Sequence, residues 1–375
     1  MAESPPEELQ TGVANVRNVG RYIFRSGGLG SLEDILKVQP DLPSRPVIFV
    51  VDEFFQSERR LVKGLPVRSN DSVRFISTHE EPTTEYINRL YTDINEKIVN
   101  VQGPPCAIVG IGGGITLDTA KALSNLLGNG GRAEDYQGWD LVEMPGTFKI
   151  GIPTISGTGA ESTRTCVMTS KATGLKLGMN SDFTVFDQLI LDPELTSTVP
   201  RNQYFFTGMD AYIHCMEALS GSYRNPIGDA LSEKCIRLCR QVFISEDMKS
   251  ERKRADLMVA SYLGGCAIAS SYVGIVHPFS AGLSVVLGLH HGVANCIALY
   301  SLQDFYPEAH DEFVEMVDRQ QIDIPRGVCA DLSDEEFDRL YDSTIIHEKP
   351  LINAIGAGFR EVLTRDRVRE IFARM

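Results

Sequence analysis

The sequence predicts a two-part protein: an α/β N-terminal half built on a parallel sheet, followed by an all-helical C-terminal half. Short β-branched runs alternate with helical patterns up to about Asp192-Pro193, after which helical periodicity prevails. A length of 375 residues is too great for one ordinary domain and suits two. We therefore predict an α/β domain over 1–195 and an all-helical domain over 196–375, with 1–12, acidic and proline-bearing, as a disordered tail.

Three β-rich segments of the first half predict strands of one sheet. Pro46–Val51 predicts a buried strand that ends at Asp52, Ala107–Ile111 precedes a triple glycine, and Lys149–Pro153 leads into a loop. A helical pattern over Thr116–Leu123 follows the glycines. Because strand, turn and helix recur in this order, we predict a doubly wound sheet with covering helices.

The second half begins with helical patterns over Tyr204–Glu217 and Pro226–Val242. From Leu257 to Gln303 the chain contains no Asp, Glu, Lys or Arg, and such a run could contain a membrane span. Glycine, histidine and proline residues interrupt the run repeatedly. We therefore predict packed helices at the centre of a domain and no membrane span.

Composition restricts the function and the compartment. A formal net charge of −14 argues against nucleic acid as a partner, because phosphate neutralisation requires a face rich in lysine and arginine. The first residues lack the basic and apolar regions of a secretory signal. Eight scattered cysteines without a CxxC pair indicate reduced thiols rather than a zinc ribbon or a disulfide framework. We therefore expect a cytoplasmic protein.

The first candidate site is Gly112-Gly113-Gly114, which follows a predicted strand and opens a predicted helix. Glycines in this context let backbone N–H groups approach a pyrophosphate at the helix N-terminus. The alternative is a tight turn that uses glycine for conformational reasons alone. Asp52, at the end of an earlier strand, is placed to accept hydrogen bonds from an adenosine ribose and to repel a 2′-phosphate, which favours NAD over NADP. Its alternative role is an ordinary polar strand cap.

The second candidate site combines one carboxylate with three imidazoles. Asp210 and His214 are four residues apart and therefore share one face of a helix. His277 and His291 stand in the uncharged run, where an imidazole without a partner is costly to bury. Such a set suits Zn²⁺ or Fe²⁺. Taken singly, each histidine is more commonly a hydrogen-bonded core residue, so spacing alone leaves both interpretations open.

These segments together resemble the iron-containing alcohol dehydrogenases along almost the whole chain. The resemblance rests on an ordered set of motifs: Glu81-Pro82-Thr83, the triple glycine with Asp118 and Lys121, Pro153-Thr154 leading to Gly157-Thr158-Gly159 and Glu161, Asp192-Pro193-Glu194-Leu195, Gly208-Met209-Asp210 with His214 and Glu217, and His291-Gly292. It implies a Rossmann-like dinucleotide-binding domain and an all-helical domain, in the dehydroquinate synthase-like architecture, with a divalent metal, Fe²⁺ or Zn²⁺.

The resemblance also implies site residues. Its metal ligands, through which catalysis would proceed, fall on Asp210, His214, His277 and His291. Its NAD(H) contacts fall on Asp52, Gly112, Gly113, Gly114, Asp118, Thr154, Ser156, Thr158 and Lys176.

Three departures from the family pattern concern polar groups. Ile115 and Ile155 stand where the family commonly has hydroxyl residues, so polar contacts to the cofactor are missing. Ala281 stands where many members have a histidine that is a candidate proton relay. His290 cannot simply replace it, because adjacent residues of a helix point about 100° apart. We favour a structural role for His290 over a catalytic one, and solvent or a substrate hydroxyl as the proton carrier.

The predicted reaction oxidises a primary alcohol to an aldehyde with hydride transfer to NAD. The segments Leu175–Phe183 and His277–Gly282 look closer to family members that act on sugar-like polyols. The nearest likeness is the 3-deoxy-manno-octulosonate 8-oxidase branch of sugar-acid and lipopolysaccharide metabolism, whose aldehyde product a partner aminotransferase could use. A homodimer is the expected assembly.

Three alternatives are weighed against this reaction. A dehydroquinate-synthase-like lyase would also use NAD and a metal, but it would require clustered lysines and arginines that the metal region lacks. A short-chain alcohol or aldehyde reductase of the same family differs only in its substrate. A non-catalytic relative would be inactive and bind no metal.

Overall fold

The computed structural model describes residues 12–13, 15–39, 44–57, 61 and 64–375, which divide into two compact units. The first, here called the sheet unit, comprises Arg17–Ile155 and Ala160–Thr198. The second, here called the helical unit, comprises Ser156–Gly159, Val199–Met375 and the described residues before Arg17. The tail predicted for 1–12 lies, except for its last residue, outside the described residues.

The sheet unit contains strands from two sheets. They are β1 Arg21–Phe24, β2 Val47–Asp52, β3 Ser72–Ile76, β4 Ala107–Gly112, β5 Gly138–Trp139, β6 Lys149–Pro153, β7 Thr165–Ser170, β8 Leu175–Asn180 and β9 Gln188–Leu191. The larger sheet has the order β1-β9-β6-β4-β2-β3, and all of its pairs are parallel. The α/β fold predicted for this half is therefore confirmed, and the three predicted strands correspond to β2, β4 and β6.

The helices of the sheet unit follow the strands. They are α1 Leu32–Lys37, α2 Phe54–Ser57, α3 Thr84–Ile94, α4 Asn100–Gln102 and α5 Gly114–Asn129, with a π-helical turn over Asn95–Val99 between α3 and α4. Thr83 is the N-cap residue of helix α3, and its side chain accepts a hydrogen bond from the Tyr86 N–H. The strand β4 is fully buried, and so is β2 up to its last residue, Asp52, as their continuous apolar runs predict for a sheet covered on both faces.

A small sheet of β5, β8 and β7 is absent from the sequence prediction. Its strands β7 and β8 pair in antiparallel register, with Thr169 opposite Lys176. Strand β8 contains a lysine and a glycine and no β-branched residue, so its sequence gives little β-signal. Packing creates the strand instead, because Met179 and Met168 are buried against Leu126 and Ile87 in a separate apolar cluster.

The helical unit is built around one buried helix. Its helices are α6 Arg201–Ser220, α7 Pro226–Phe243, α8 Glu251–Ser270, α9 Val276–Leu287, α10 His291–Ser301, α11 Pro307–Gln320, α12 Asp334–Ile345, α13 Glu348–Ile355, α14 Phe359–Val362 and α15 Arg365–Phe372. Helix α6 is buried without interruption over 208–218 and packs against α7, α8 and α10. A helix surrounded by other helices has no polar stripe, which agrees with its sequence. The predicted all-helical half is confirmed.

The uncharged run from Leu257 to Gln303 forms most of α8 and all of α9 and α10. Phe279, Leu283 and Ile297 of this run belong to the apolar core of the helical unit. No helix within the described ranges is both long enough and apolar enough to cross a membrane. None of the eight cysteines is in a disulfide.

Candidate metal centre and cofactor-binding edge

Asp210 and His214 lie one turn apart on the buried helix α6. The His214 Nε2 atom is 3.4 Å from Asp210 Oδ1, and both side chains are almost completely buried. A carboxylate at this depth is costly unless charged or hydrogen-bonding groups surround it. The groups that surround Asp210 therefore indicate what this carboxylate does.

His277 and His291 come to the same carboxylate from two other helices. His277 is the second residue of α9 and His291 is the first residue of α10. The Nε2 atom of His277 lies 3.3 Å from Asp210 Oδ1, and that of His291 lies 3.4 Å from Asp210 Oδ2. The ring of His277 also stacks on that of His214, with 4.7 Å between centroids. The structure thus brings together all four residues predicted as metal ligands.

Three of the four form a compact set of donor atoms. Within the described part of the chain, Asp210, His277 and His291 are a group whose possible ligand atoms all lie within 4.8 Å of one another. His214 contacts the same carboxylate but is outside this group. Two of the facing atoms, Asp210 Oδ2 and His277 Nε2, are buried and have no hydrogen-bond partner among the described residues. Buried donor atoms that converge in this way fit a divalent cation such as Zn²⁺ or Fe²⁺.

The electrostatics of this cluster favour positive charge. Burial raises the pKa of Asp210, but the nearby imidazoles of His214, His291 and His277 outweigh it and hold the pKa well below its usual range. Burial lowers the pKa of His214 to about 3, so this ring is neutral and its nitrogen can ligate. For His277, burial also lowers the pKa, but Glu217 and Asp210 prevail and raise it to about 9. Two carboxylates therefore stabilise a cation at this position.

Two residues without a predicted role contact the cluster. Glu217 Oε2 lies 2.5 Å from His277 Nδ1, and the Asn295 amide donates a 2.7 Å hydrogen bond to Asp210 Oδ1. The same amide nitrogen lies 3.2 Å from His291 Nε2. Helical spacing could have identified both, since Glu217 is seven residues after Asp210 and Asn295 is four after His291.

At the sheet, the structure brings three predicted cofactor positions to one edge. Asp52 and Gly112 end the neighbouring strands β2 and β4, and Thr154 directly follows the end of β6. The carboxyl ends of these strands share one side of a parallel sheet. The Thr154 N–H donates to the Gly112 carbonyl at 3.0 Å. Asp52 accepts a hydrogen bond from the Phe54 N–H, and burial raises its pKa. Dinucleotides bind at such edges of doubly wound sheets.

Two glycines of this edge have no room for a side chain. A Cβ atom on Gly112 would lie 2.6 Å from the Thr116 side chain, and one on Gly113 would lie 2.9 Å from Ile155. Gly113 is the N-cap residue of helix α5, and no side chain forms a capping hydrogen bond there. The first N–H groups of the helix are therefore not occupied by a cap, which fits a pyrophosphate at this terminus.

The loop residues Ser156 and Thr158 belong to the helical unit. The Gly157 and Gly159 N–H groups both donate to the Ser261 hydroxyl, at 2.8 and 3.2 Å. A Cβ atom on Gly157, whose φ is +146°, would lie 1.6 Å from the Thr207 carbonyl oxygen. The loop therefore packs against α6 about one turn before Asp210.

Asp118 and Lys176 contact partners within the protein. Asp118 accepts a 2.9 Å hydrogen bond from the Val167 N–H, and burial raises its pKa to about 6 despite the nearby Lys121. Lys176 pairs with Glu81 at 3.3 Å. These contacts give both side chains a role in attaching β7 and β8, while their predicted contact with the cofactor stays a prediction.

The residues considered for proton relay differ in exposure. His290 is exposed and precedes α10 without a side-chain cap bond. Ala281 is buried within α9 and offers no titratable group. Neither position thus provides a buried proton relay.

Family models match most of the chain. The model described as "Iron-containing alcohol dehydrogenase" matches residues 20–193, and its C-terminal counterpart, "Fe-containing alcohol dehydrogenase family, C-terminal", matches residues 205–335. The dehydrogenase resemblance is therefore confirmed, and the match does not favour the lyase alternative.

Among curated relatives, the sulfoacetaldehyde reductase of Bilophila wadsworthia is 39% identical over 50% of this chain. The match covers 49% of that reductase, so this chain spans only about half its length. Long-chain-alcohol dehydrogenase 1 of Geobacillus thermodenitrificans is 34% identical over 75% of this chain and 72% of its own length.

A solved structure supports the fold. The sulfoacetaldehyde reductase from Bifidobacterium kashiwanohense, determined in complex with NAD⁺, superposes with a TM-score of 0.76 at 21% identity. The superposition covers 96% of this chain and 97% of that one. The two family models and the Geobacillus relative lead to one conclusion: this chain belongs to the iron-containing alcohol dehydrogenase family.

Proposed function

We propose that this chain is a metal-dependent alcohol dehydrogenase that transfers hydride between a primary alcohol or aldehyde and NAD(H). One observation carries the proposal: a buried carboxylate and three imidazoles converge, and facing atoms of Asp210 and His277 have no hydrogen-bond partner among the described residues. Family membership supports the same reaction.

In this proposal Asp210, His214, His277 and His291 hold one divalent cation, Fe²⁺ or Zn²⁺. A bound cation of this kind supplies a Lewis acid that favours the deprotonated form of an alcohol near neutral pH. The four side chains contribute a net charge of −1, since Asp210 is ionised and the rings ligate as neutral imidazoles. Solvent or a substrate hydroxyl carries the released proton, because Ala281 cannot.

NAD is proposed to bind at the edge formed by Asp52, the triple glycine and Thr154. The N–H groups at the start of α5 donate hydrogen bonds to the pyrophosphate, and Asp52 accepts hydrogen bonds from the hydroxyls of the adenosine ribose. A carboxylate repels a 2′-phosphate, which favours NAD over NADP. The NAD⁺ in the Bifidobacterium reductase supports this choice. Asp118, Ser156, Thr158 and Lys176 remain proposed contacts.

For the substrate we consider two classes. The sequence favours a sugar acid oxidised at a terminal hydroxyl, as in the 3-deoxy-manno-octulosonate 8-oxidase branch. The 39% identity to a sulfoacetaldehyde reductase supports a second candidate, a short aldehyde that carries an acidic group. Both candidates are anions with a primary alcohol or aldehyde at one end, so one panel can compare them.

The metal proposal is tested by metal analysis of the purified protein and its variants. We expect about one Fe²⁺ or Zn²⁺ per chain in the wild type, loss of metal and turnover in His277→Ala, and retained NAD binding in that variant. His290→Ala is the matched control, since it removes the exposed neighbour of a ligand. Full activity of His277→Ala, or a metal-free but active wild type, would contradict the proposal.

The substrate is tested by a panel of sugar acids, sulfonated and simple aldehydes, and their alcohols, monitored by NADH absorbance. A preference of at least about tenfold in kcat/KM, equal to about 1.4 kcal/mol of transition-state binding, would identify the class. No turnover of any compound by the metal-loaded protein would favour a non-catalytic relative.

Three expectations about the cellular setting stay proposals. We propose a cytoplasmic homodimer, and, if the substrate is a sugar acid, an aminotransferase that consumes the aldehyde. Light scattering of the purified protein tests the dimer.

A further inference from the structure

Glu217 is a buried carboxylate on the helix that supplies two of the proposed ligands. Asp210, His214 and Glu217 occupy positions i, i+4 and i+7 of α6 and therefore share one face. Glu217 is fully buried. A carboxylate in such a place requires hydrogen-bond donors for its oxygens.

Both oxygens of Glu217 are used at the start of α9. Oε1 accepts a 2.6 Å hydrogen bond from the Val276 N–H, and Oε2 lies 2.5 Å from His277 Nδ1. The residue before α9 has no side-chain cap bond, so this carboxylate takes the place of a cap. The neighbouring Ile275 N–H donates to the Tyr306 hydroxyl at 3.3 Å.

The packing around Glu217 leaves it little freedom. A Cβ atom on Gly274 would lie 3.0 Å from Glu217 Oε1 and 2.3 Å from the Tyr306 hydroxyl. A glycine at this position therefore allows the chain to pass close to both acceptors. The carboxylate and the ring of His277 are held together by the fold.

This contact determines which nitrogen of His277 carries hydrogen. A carboxylate oxygen accepts hydrogen bonds, so Nδ1 must be the N–H that donates to Glu217. In a neutral ring the lone pair is then on Nε2. Nε2 is the atom that faces Asp210 at 3.3 Å and has no hydrogen-bond partner in the described residues.

We propose that Glu217 is a positioning residue, which fixes the tautomer and ring orientation of His277 so that Nε2 is ready to ligate a cation. The inference rests on the metal site of the proposed function and adds a residue to it. Outer partners of this type commonly change metal affinity by about 10–100-fold when they are replaced.

The test compares Glu217→Gln with Tyr306→Phe. A glutamine has one acceptor oxygen and an NH₂ donor, so it cannot accept from both the Val276 N–H and His277 Nδ1. Tyr306→Phe removes an acceptor from the adjacent N–H of the same helix start but leaves His277 untouched. It therefore controls for weakened capping of α9.

Zn²⁺ affinity is measured by competition with a chelator, and folding by thermal unfolding. We expect Glu217→Gln to bind Zn²⁺ about 10–100-fold more weakly than the wild type, and Tyr306→Phe to stay within about threefold. Equal affinity of Glu217→Gln and wild type, or an equal loss in both variants, would overturn the inference.

A second measurement is made on the wild-type protein, and a variant serves only to assign its signals. Proton–nitrogen correlation spectra of Zn²⁺-loaded protein with ¹⁵N-labelled histidine report which ring nitrogen carries hydrogen, and His277→Ala assigns the signal. We expect an Nδ1–H form at His277, and an Nε2–H form would overturn the inference. If the wild type bound no Zn²⁺ at all, the proposed metal site itself would fail, which is a different result.

Discussion

The two candidate sites depend on opposite features of their residues. The sheet edge depends on atoms that are absent, because a Cβ atom on Gly112 or Gly113 would lie less than 3.0 Å from Thr116 or Ile155. The metal cluster depends on side-chain atoms that are present and unsatisfied, such as Asp210 Oδ2 and His277 Nε2. A backbone site fails when an atom is added, whereas a side-chain site fails when an atom is removed or changed.

This difference predicts separable defects. All four proposed ligands lie in the helical unit, and the glycine edge lies in the sheet unit. Substitutions at one site should therefore change metal binding with little effect on cofactor binding, or the reverse.

Asp210→Asn should have the largest effect. The change removes the negative charge that all three imidazoles face, while the volume stays nearly constant. We expect loss of bound metal and a fall in kcat/KM of about 1,000-fold or more, equal to about 4 kcal/mol. Metal analysis and steady-state kinetics check this, with the exposed Asp311→Asn as the control. Retention of bound metal by Asp210→Asn would contradict the proposed ligand role of Asp210.

Gly112→Ala should weaken NAD binding. The added Cβ must displace the Thr116 side chain at the start of α5. We expect the Kd for NAD to rise about 30-fold, as for loss of one charge-assisted hydrogen bond of about 2 kcal/mol. Calorimetric titration measures the Kd, and Gly30→Ala is the control because its Cβ would meet no atom within 4 Å. A parallel loss of metal would show that the sites are not separable.

Asn295→Ala should have an intermediate effect on the metal. Its amide donates to Asp210 Oδ1, and this hydrogen bond orients the carboxylate. We expect metal affinity to fall about tenfold while NAD affinity is unchanged. Competition with a chelator measures the metal affinity. Asn202→Ala, on the exposed start of α6, is the control. Unchanged metal affinity would exclude the orienting role.

Ile115→Thr should have the smallest effect, in the favourable direction. It restores a hydroxyl in the first turn of α5, where this chain departs from the family pattern. We expect NAD to bind about threefold more tightly, near the lower limit of a net hydrogen bond. Ile115→Val is the control, since it keeps the β-branch without the hydroxyl. Equal gains in both variants would assign the effect to packing.

Local sequence predicted most of the fold and part of the site. The runs that became β2 and β4 are continuous and apolar, and such runs remain strands in a buried parallel sheet. The spacing of Asp210 and His214 predicted their shared helix face for the same local reason. Strand β8 was not predicted, because packing rather than the β-propensity of its residues forms it.

The sequence by itself determined the α/β and all-helical halves, the glycine turn, and the identity of the residues able to bind a cation. Only the tertiary structure decided which of these residues meet. His277 and His291 are more than sixty residues from Asp210, and periodicity carries no information over that distance. The contacts of Glu217 and Asn295 were likewise decided by the packing of α6 against α9 and α10, because a hydrogen bond depends on positions in space and not on order along the chain.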